Sequence, residues 1–366
     1  MSKLENITVE GYKSIRAMSL DLCSLNVLIG ANGAGKSNFI SLFSLLHDLV
    51  TEHLQFAVAT GGGAETLFYF GTKTTEEIKI ELKFGQNGYK CVLTPALPDT
   101  LIFKEEVCFF YGKMISRSQP YNEFLGSGHK ESRLSEYARS APVVRHVYDS
   151  AKRWRVYHFH DTSSSAPVRK TGKIDDNERL KPDASNLAAF LYRLKTQHES
   201  QYRMIVNTVR MVAPFFDDFI LRPNPLNEST IQLEWSEKNS DAYMNAASLS
   251  DGTLRFICLA TLLQQPSTFQ PSAILIDEPE LGLHPYAINV LASLLKSASA
   301  KTQVIVSTQS VPLVNQFEAE NLIIVDREDG QSVFKRLEKE TIADWLTDYS
   351  LGELWEKNIL GGRPSK

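Results

Sequence analysis

The order of apolar and polar residues sorts the chain into elements before any chemistry is considered. Residues 4 to 30 read as two short strands around a turn, LENITVEGYKSI and SLNVLIG, and the second is apolar enough to be a central strand covered on both faces. From Lys36, apolar residues recur at Phe39, Ile40, Leu42, Phe43, Leu46 and Leu49, the spacing of a helix, until TGGGAE breaks the run. EEIKIELKFGQNGYKCVLT then alternates about a turn at Gly85 to Gly88, and TLIFKEEVCFFYG continues the alternation, which predicts an antiparallel sheet. Between about 112 and 183 the pattern degrades, and DTSSSAPVRKTGK has the composition of an exposed mobile loop. Leu187, Phe190, Leu191 and Leu194 share one helical face, and Tyr202, Ile205, Val206 and Val209 share another before Pro214. From about 246 helix and apolar strand alternate again, with SAILIDEPE and TQVIVSTQS as the strands. No internal repeat and no long heptad pattern is present.

The junction between SLNVLIG and the helix that follows carries the first chemistry. Gly30, Ala31, Asn32, Gly33, Ala34, Gly35, Lys36 and Ser37 fit GxxxxGK[ST] between a strand and a helix, the context of a phosphate-binding P-loop, with Asn38 next in line. Glycines let backbone N–H groups wrap phosphates, the helix N-terminus adds positive potential, Lys36 reaches the outer phosphates, and the Ser37 hydroxyl can bind Mg²⁺. AILIDEPE supplies the partner: Asp277 can complete a Mg²⁺ shell, and Glu278 can orient or deprotonate an attacking water. SLSDGTLRF, by itself, is what a capped amphipathic helix looks like, with Ser or Asp ahead of Leu254, Phe256 and Ile257.

Taken in order, EGYKSIR, GANGAGKSN, LSDGTLRF, IDEPELGLHP and VSTQS resemble the motifs of ABC-type ATPase heads, within them the soluble group related to SMC and RecF proteins and to overcoming-lysogenization-defect nucleases. The resemblance covers the first 40 and last 120 residues. It implies an α/β P-loop head with a mixed central sheet, an antiparallel β subdomain and a mostly helical insertion between the Walker A loop and the signature. On this basis 1–111 form an N-terminal ATPase lobe, 112–245 the insertion, and 246–366 the C-terminal lobe. It further implies ATP and Mg²⁺ as cofactors and a homodimer that sandwiches ATP between heads. Ser250 and Gly252 would then contact the γ-phosphate bound by the opposite subunit. Two positions depart from the family pattern: Asp251 replaces a frequent Gly, and Gln309 stands where such heads usually place His. A Gln amide can hydrogen-bond a phosphate but cannot carry a proton, so slow turnover is expected. Arg16 or Lys13 of EGYKSIR is a candidate nucleotide contact, or a solvated hairpin charge. His284 is either a dimer-interface residue or a helix start before Pro285.

Bulk properties then narrow the class. With 43% hydrophobic and 22% charged residues in 366, the chain has the composition of globular protein with room for two lobes, and a formal net charge of -4 does not mark a nucleic-acid binder. Cys23, Cys91, Cys108 and Cys258 are far apart, so no zinc site or disulfide framework is expected. The absence of an apolar signal core or membrane-length run points to a cytoplasmic protein without a membrane partner. His158, His160 and Asp161 lack a further ligand pair and read as ordinary side chains, and the basic stretch from Lys130 to Lys173 reads as a solvated face or a docking surface for DNA, RNA or protein. No acidic cluster after the head suits an appended nuclease. The expected function is therefore an ATPase that regulates a separately encoded nuclease or toxin effector from a neighbouring gene. The alternatives are a repair ATPase that binds DNA directly, a non-hydrolysing ATP-sensing scaffold, and a transporter subunit, for which the spacing between P-loop and signature is too long.

Overall fold

The apolar run SLNVLIG forms β3 (Leu25–Ile29), and all five of its residues are buried. A computed structural model describes residues 3–112 and 121–362. β3 lies inside a six-stranded sheet with β8 (Trp154–Tyr157), β14 (Ala273–Asp277), β15 (Gln303–Thr308), β16 (Leu322–Glu328) and β17 (Gln331–Arg336), in the order β17-β16-β3-β15-β14-β8. All pairs are parallel except β16 with β17. The pleat sends alternate residues to opposite sides: Val27, Ile29, Ile274, Ile276, Val304 and Val306 join one core, while Leu28, Leu275 and Ile305 join the other. Two covered faces are why these strands read as unbroken apolar runs.

One face is covered by α1 (Lys36–Val50) and a second six-stranded sheet, which is antiparallel throughout. That sheet contains β1 (Asn6–Tyr12), β2 (Ile15–Asp21), β4 (Ile78–Phe84), β5 (Asn87–Ala96), β6 (Thr100–Phe110) and β7 (Tyr121–Gly126), in the order β2-β1-β4-β5-β6-β7. The expectation of two strands in residues 4 to 30 is corrected here, because there are three. Lys13, at φ 47, turns the chain between β1 and β2, so EGYKSIR is a hairpin tip in the outer sheet instead of the end of one strand. α2 (Leu54–Thr60) follows α1.

Residues 112–245 supply more strand than the mostly helical insertion expected. They contribute β7 to the outer sheet and β8 to the end of the central one, separated by α3 (Leu134–Tyr137) and α4 (Pro142–Ala151). A two-stranded ribbon of β9 (Gly172–Lys173) with β11 (Thr230–Ile231) follows, then α5 (Leu187–Gln197) and α6 (Glu199–Val212). The last part is a small sheet of β10 (Phe216–Ile220), β12 (Glu234–Glu237) and β13 (Tyr243–Asn245). These strands are too short for period-two alternation to be legible. α5 and α6 join α7 (Asp251–Gln264) and α8 (Pro285–Ser299) over the second face of the central sheet.

DTSSSAPVRKTGK is likewise not simply a free loop. Ser163 to Ser165 are exposed, but Ala166 and Val168 are buried and Arg169 donates to the carbonyls of Thr162 and Leu249. The serine run sets the composition, and the two apolar residues set the structure. The cysteines are free thiols, three buried and Cys23 exposed, and among the described residues no helix is long and apolar enough to cross a membrane.

Trp154 ties the layers together. Its ring packs 5.2 Å from that of Phe43 on α1 and 5.9 Å from that of Phe84 on β4. Trp154→Ala should lower stability by about 3–5 kcal/mol through loss of transfer energy and a cavity, measured as a lower urea midpoint at an unchanged slope.

Candidate functional site

The P-loop is shaped by close backbone approach. A Cβ on Gly30 would lie 2.2 Å from the Val325 carbonyl oxygen, and one on Gly35, which has φ +119, would lie 2.1 Å from the Ser332 hydroxyl. Gly33, at φ +79, has open space around it. The loop is braced from both sheets: Ser332 Oγ donates to the Ala34 carbonyl at 2.6 Å, and Asn38 Nδ2 donates to Ser14 Oγ at 2.7 Å. Asn32 and Ser37 are exposed, while Ala34 and Lys36 are buried. Lys36 Nζ folds back to donate to the carbonyls of Gly30 at 2.7 Å and Ala31 at 2.9 Å. Burial holds its pKa below the ordinary lysine value, against the opposing pull of Glu278, Asp277 and Glu280.

The strand ends bring the acids to this loop. Ser37 Oγ donates to Asp277 Oδ2 at 3.3 Å, and Ser307, paired with Asp277 across β14 and β15, donates to the other carboxylate oxygen. The two residues expected to share a Mg²⁺ ion are therefore adjacent. Glu278 has φ 43, a strained conformation for a residue with a side chain, and its N–H donates to the Ser307 carbonyl at 2.9 Å. The Gln309 amide donates to the Glu278 carboxylate. Glu280 completes an acidic trio. It accepts from the Thr308 hydroxyl and from the Gln309 N–H at 3.3 Å, and burial raises its pKa. Glu280 is a site residue beyond those expected from the motifs, and its place two residues after Glu278 in DEPE is the one sign of it in the sequence.

His158 also belongs to this neighbourhood. Ile276 pairs with Tyr157 in parallel register, so the next step sets Asp277 beside His158. Burial lowers the pKa of His158, His160 adds to the effect, and Asp277 opposes it. The rings of His158 and His160 are 6.3 Å apart, and the described residues contain no group of three His, Cys, Asp or Glu placed to hold a metal.

The signature segment starts α7 and is presented outward. Ser250 is exposed and caps the helix, its Oγ accepting from the Thr253 N–H at 3.1 Å. Asp251 meets Arg169 at 2.7 Å, which answers the extra acid in the motif with a cation from the loop around Pro167. Gly252 is held against the segment before α8: a Cβ there would lie 2.3 Å from the Gly282 carbonyl oxygen. Arg255, buried in α7, donates to the carbonyls of Phe159 at 2.8 Å, His160 at 2.9 Å and Leu281. One guanidinium thus joins the signature helix to the segments beside Asp277 and after Glu280. His284 is exposed and caps α8, its Nδ1 accepting from the Tyr286 N–H at 3.3 Å.

The structure does not bring Arg16 to the loop. It is exposed on β2 and lines a separate cleft with Glu10, Glu77 and Lys79. Lys13 is the basic residue near the P-loop helix: its Nζ donates to Ser41 Oγ at 3.0 Å, and it lines a cavity of about 430 Å³ with Asn38, Arg327, Tyr69 and Phe70. The hairpin turn decides between them, since it points its tip residue at α1 and the next exposed strand position away.

A phosphate loop at the end of a buried strand, an Asp-Glu pair at the end of another and a capped signature helix beside them define a P-loop ATPase head of the SMC-like α/β type. The chain belongs to the family described as AAA domain, putative AbiEii toxin, Type IV TA system, which matches residues 25–315. It is similar to the Old nuclease of Escherichia phage P2, with 22% identity over 385 residues covering 93% of this chain and 62% of that protein. The chain thus spans less than two thirds of this relative. Among solved structures it resembles an Smc head bound to the C-winged helix domain of ScpA, with TM-score 0.57 and 17% identity over 93% of this chain and 99% of that one. It also resembles an Smc head with an extended coiled coil bound to the C-terminal domain of ScpA derived from Pyrococcus furiosus, with TM-score 0.51 and 15% identity over 95% and 99% of the two chains. These likenesses establish the fold.

Lys36→Ala removes the ammonium at the loop and should weaken nucleotide binding by about 1.5–3 kcal/mol, roughly ten- to a hundred-fold in Kd. A fluorescent-nucleotide titration on chain shown folded by circular dichroism measures this, and wild-type affinity would remove the loop from nucleotide binding.

Proposed function

We propose that the chain is an ATPase that binds MgATP at Gly30–Ser37, pairs with a second copy around it, and through pairing regulates a nuclease or toxin effector encoded separately. The observation that carries this reading is a division of the motifs. Lys36, Ser37, Asp277, Glu278 and Gln309 converge on one site, while Ser250 and Gly252 stand at a helix start where Ser250 bonds Thr253, Asp251 pairs with Arg169, and Gly252 lies close against the Gly282 backbone. Half of a composite site then comes from each copy.

In that arrangement Lys36 leaves the Gly30 and Ala31 carbonyls for the β- and γ-phosphates. Ser37 and Asp277 would hold Mg²⁺, which supplies charge neutralisation between phosphate oxygens when bound. Glu278 orients a water and takes its proton as the water oxygen bonds to the γ-phosphorus and the bond to the β–γ bridging oxygen breaks, leaving ADP and phosphate. Tyr69 and Phe70 offer aromatic faces to a nucleobase beside the loop. Gln309 cannot relay a proton, and its bond to Glu278 ties the base back, which supports slow turnover and, as a second reading, an ATP-sensing scaffold. The family description and the nuclease named for the phage relative support an effector-linked role over a free-standing repair role.

Glu278→Gln keeps every binding contact and removes the base, so hydrolysis should fall about a hundred-fold or more while ATP-dependent dimer accumulates in light scattering. Loss of ATP-dependent pairing in this variant would count against the reading. The trans contact is best tested at Ser250, because any side chain at Gly252 strikes the Gly282 carbonyl. Ser250→Asp preserves the helix cap yet sets a carboxylate where the partner's γ-phosphate would lie. That chain should bind ATP and not hydrolyse it, and mixing it with Lys36→Ala should restore one working site per heterodimer. Full turnover of Ser250→Asp alone would show the segment to be a capped helix and no more.

A further inference from the structure

Among the described residues β8 is the end strand of the central sheet, and a cavity of about 430 Å³ opens beside it. Its lining includes four cations, Lys152, Arg153, Arg155 and Arg179, and one carboxylate, Glu178, in a chain whose formal net charge is -4. The basic stretch therefore does not simply spread over a solvated face, since part of it gathers here.

The two arginines of β8 and its approach, Arg153 and Arg155, are held in place by neutral groups. Arg155 Nη1 donates to the carbonyls of Trp154 at 2.6 Å and Lys152 at 2.8 Å, and it meets His47 Nδ1 at 3.3 Å. Burial is the main cause that pushes the His47 pKa down to about 4, and neighbouring Arg155 adds to it, so the imidazole is neutral and can accept. Arg153 donates to the Gln270 carbonyl. Lys152 pairs with Asp149 and lies 4.7 Å from the Tyr148 ring centre. Among the described residues neither Arg155 nor Arg179 forms an ion pair. Arg155, half-buried, also has its pKa lowered, first by burial and then by Arg179. Like charges gathered in a concave, partly desolvated place repel one another, and a bound anion offsets that cost. Guanidinium groups present several donors to phosphate oxygens at once. The volume is that of a small-ligand site, and Tyr148, Tyr157 and Phe269 add aromatic wall.

We propose that this cavity is a second anion site, separate from the P-loop, that takes a phosphate group carried either by a nucleic-acid backbone or by a free phosphorylated molecule. It stands apart from the nucleotide site, so its failure would leave the P-loop reading untouched.

The test uses the full chain carrying Lys36→Ala, which weakens phosphate binding at the P-loop, and two probes: a fluorescein-labelled single-stranded oligonucleotide followed by anisotropy, and inorganic pyrophosphate followed by calorimetry. At least one probe should bind, more weakly as salt rises, and Lys152→Glu with Arg179→Glu should weaken it about ten-fold or more. Lys238→Glu, the same charge change on an exposed residue elsewhere, should not. Loss confined to the oligonucleotide assigns the phosphate to nucleic acid, and loss confined to pyrophosphate, or of both, assigns it to a free phosphate compound or to both sources. If the double variant does not fold, Arg179→Ala, changed only at an exposed position, repeats the measurement. Binding of neither probe, or equal binding by parent and variant, overturns the proposal.

Discussion

Every chemical group of the site depends on the parallel register of β3, β15 and β14. That register sets the end of β3, where the P-loop begins, beside Thr308 and Gln309, and sets Asp277 opposite Ser307. Strands buried on both faces cannot slip by one residue without exchanging their inward and outward sets, so the apolar cores on either side of the sheet hold the polar ends in line. Packing far from the chemistry thereby fixes where Ser37 meets Asp277.

Three carboxylates and one ammonium meet at that point. Asp277, Glu278 and Glu280 lie close together and Lys36 is the ammonium that interacts with all three, yet burial works against its charge as well. Ser307, Thr308 and Gln309 donate neutral hydrogen bonds to the acids, which orients them without cancelling their charge.

Buried arginines perform a different task. Arg169 answers Asp251, and Arg255 satisfies three carbonyls in two separate segments, so the signature helix is tied to its surroundings at both points. Planar guanidinium donors reach several acceptors at fixed angles, which a lysine cannot do. This is why residues that look like surface charge in the sequence are structural in the fold.

Much of this was legible in the chain itself. GxxxxGK[ST] after an apolar strand, Asp277 and Glu278 at the end of another, and the capped start at Ser250 are local patterns, and local backbone chemistry is enough to form a loop, a strand end or a helix cap. The choice of Lys13 over Arg16, the placement of His158 beside Asp277, the part of Glu280, and the pairing of Arg169 with Asp251 across a long stretch of chain were not legible. Each depends on which strand lies next to which and on the direction of a turn, and these are settled by burial of the two cores and by strand register, quantities that no single segment carries.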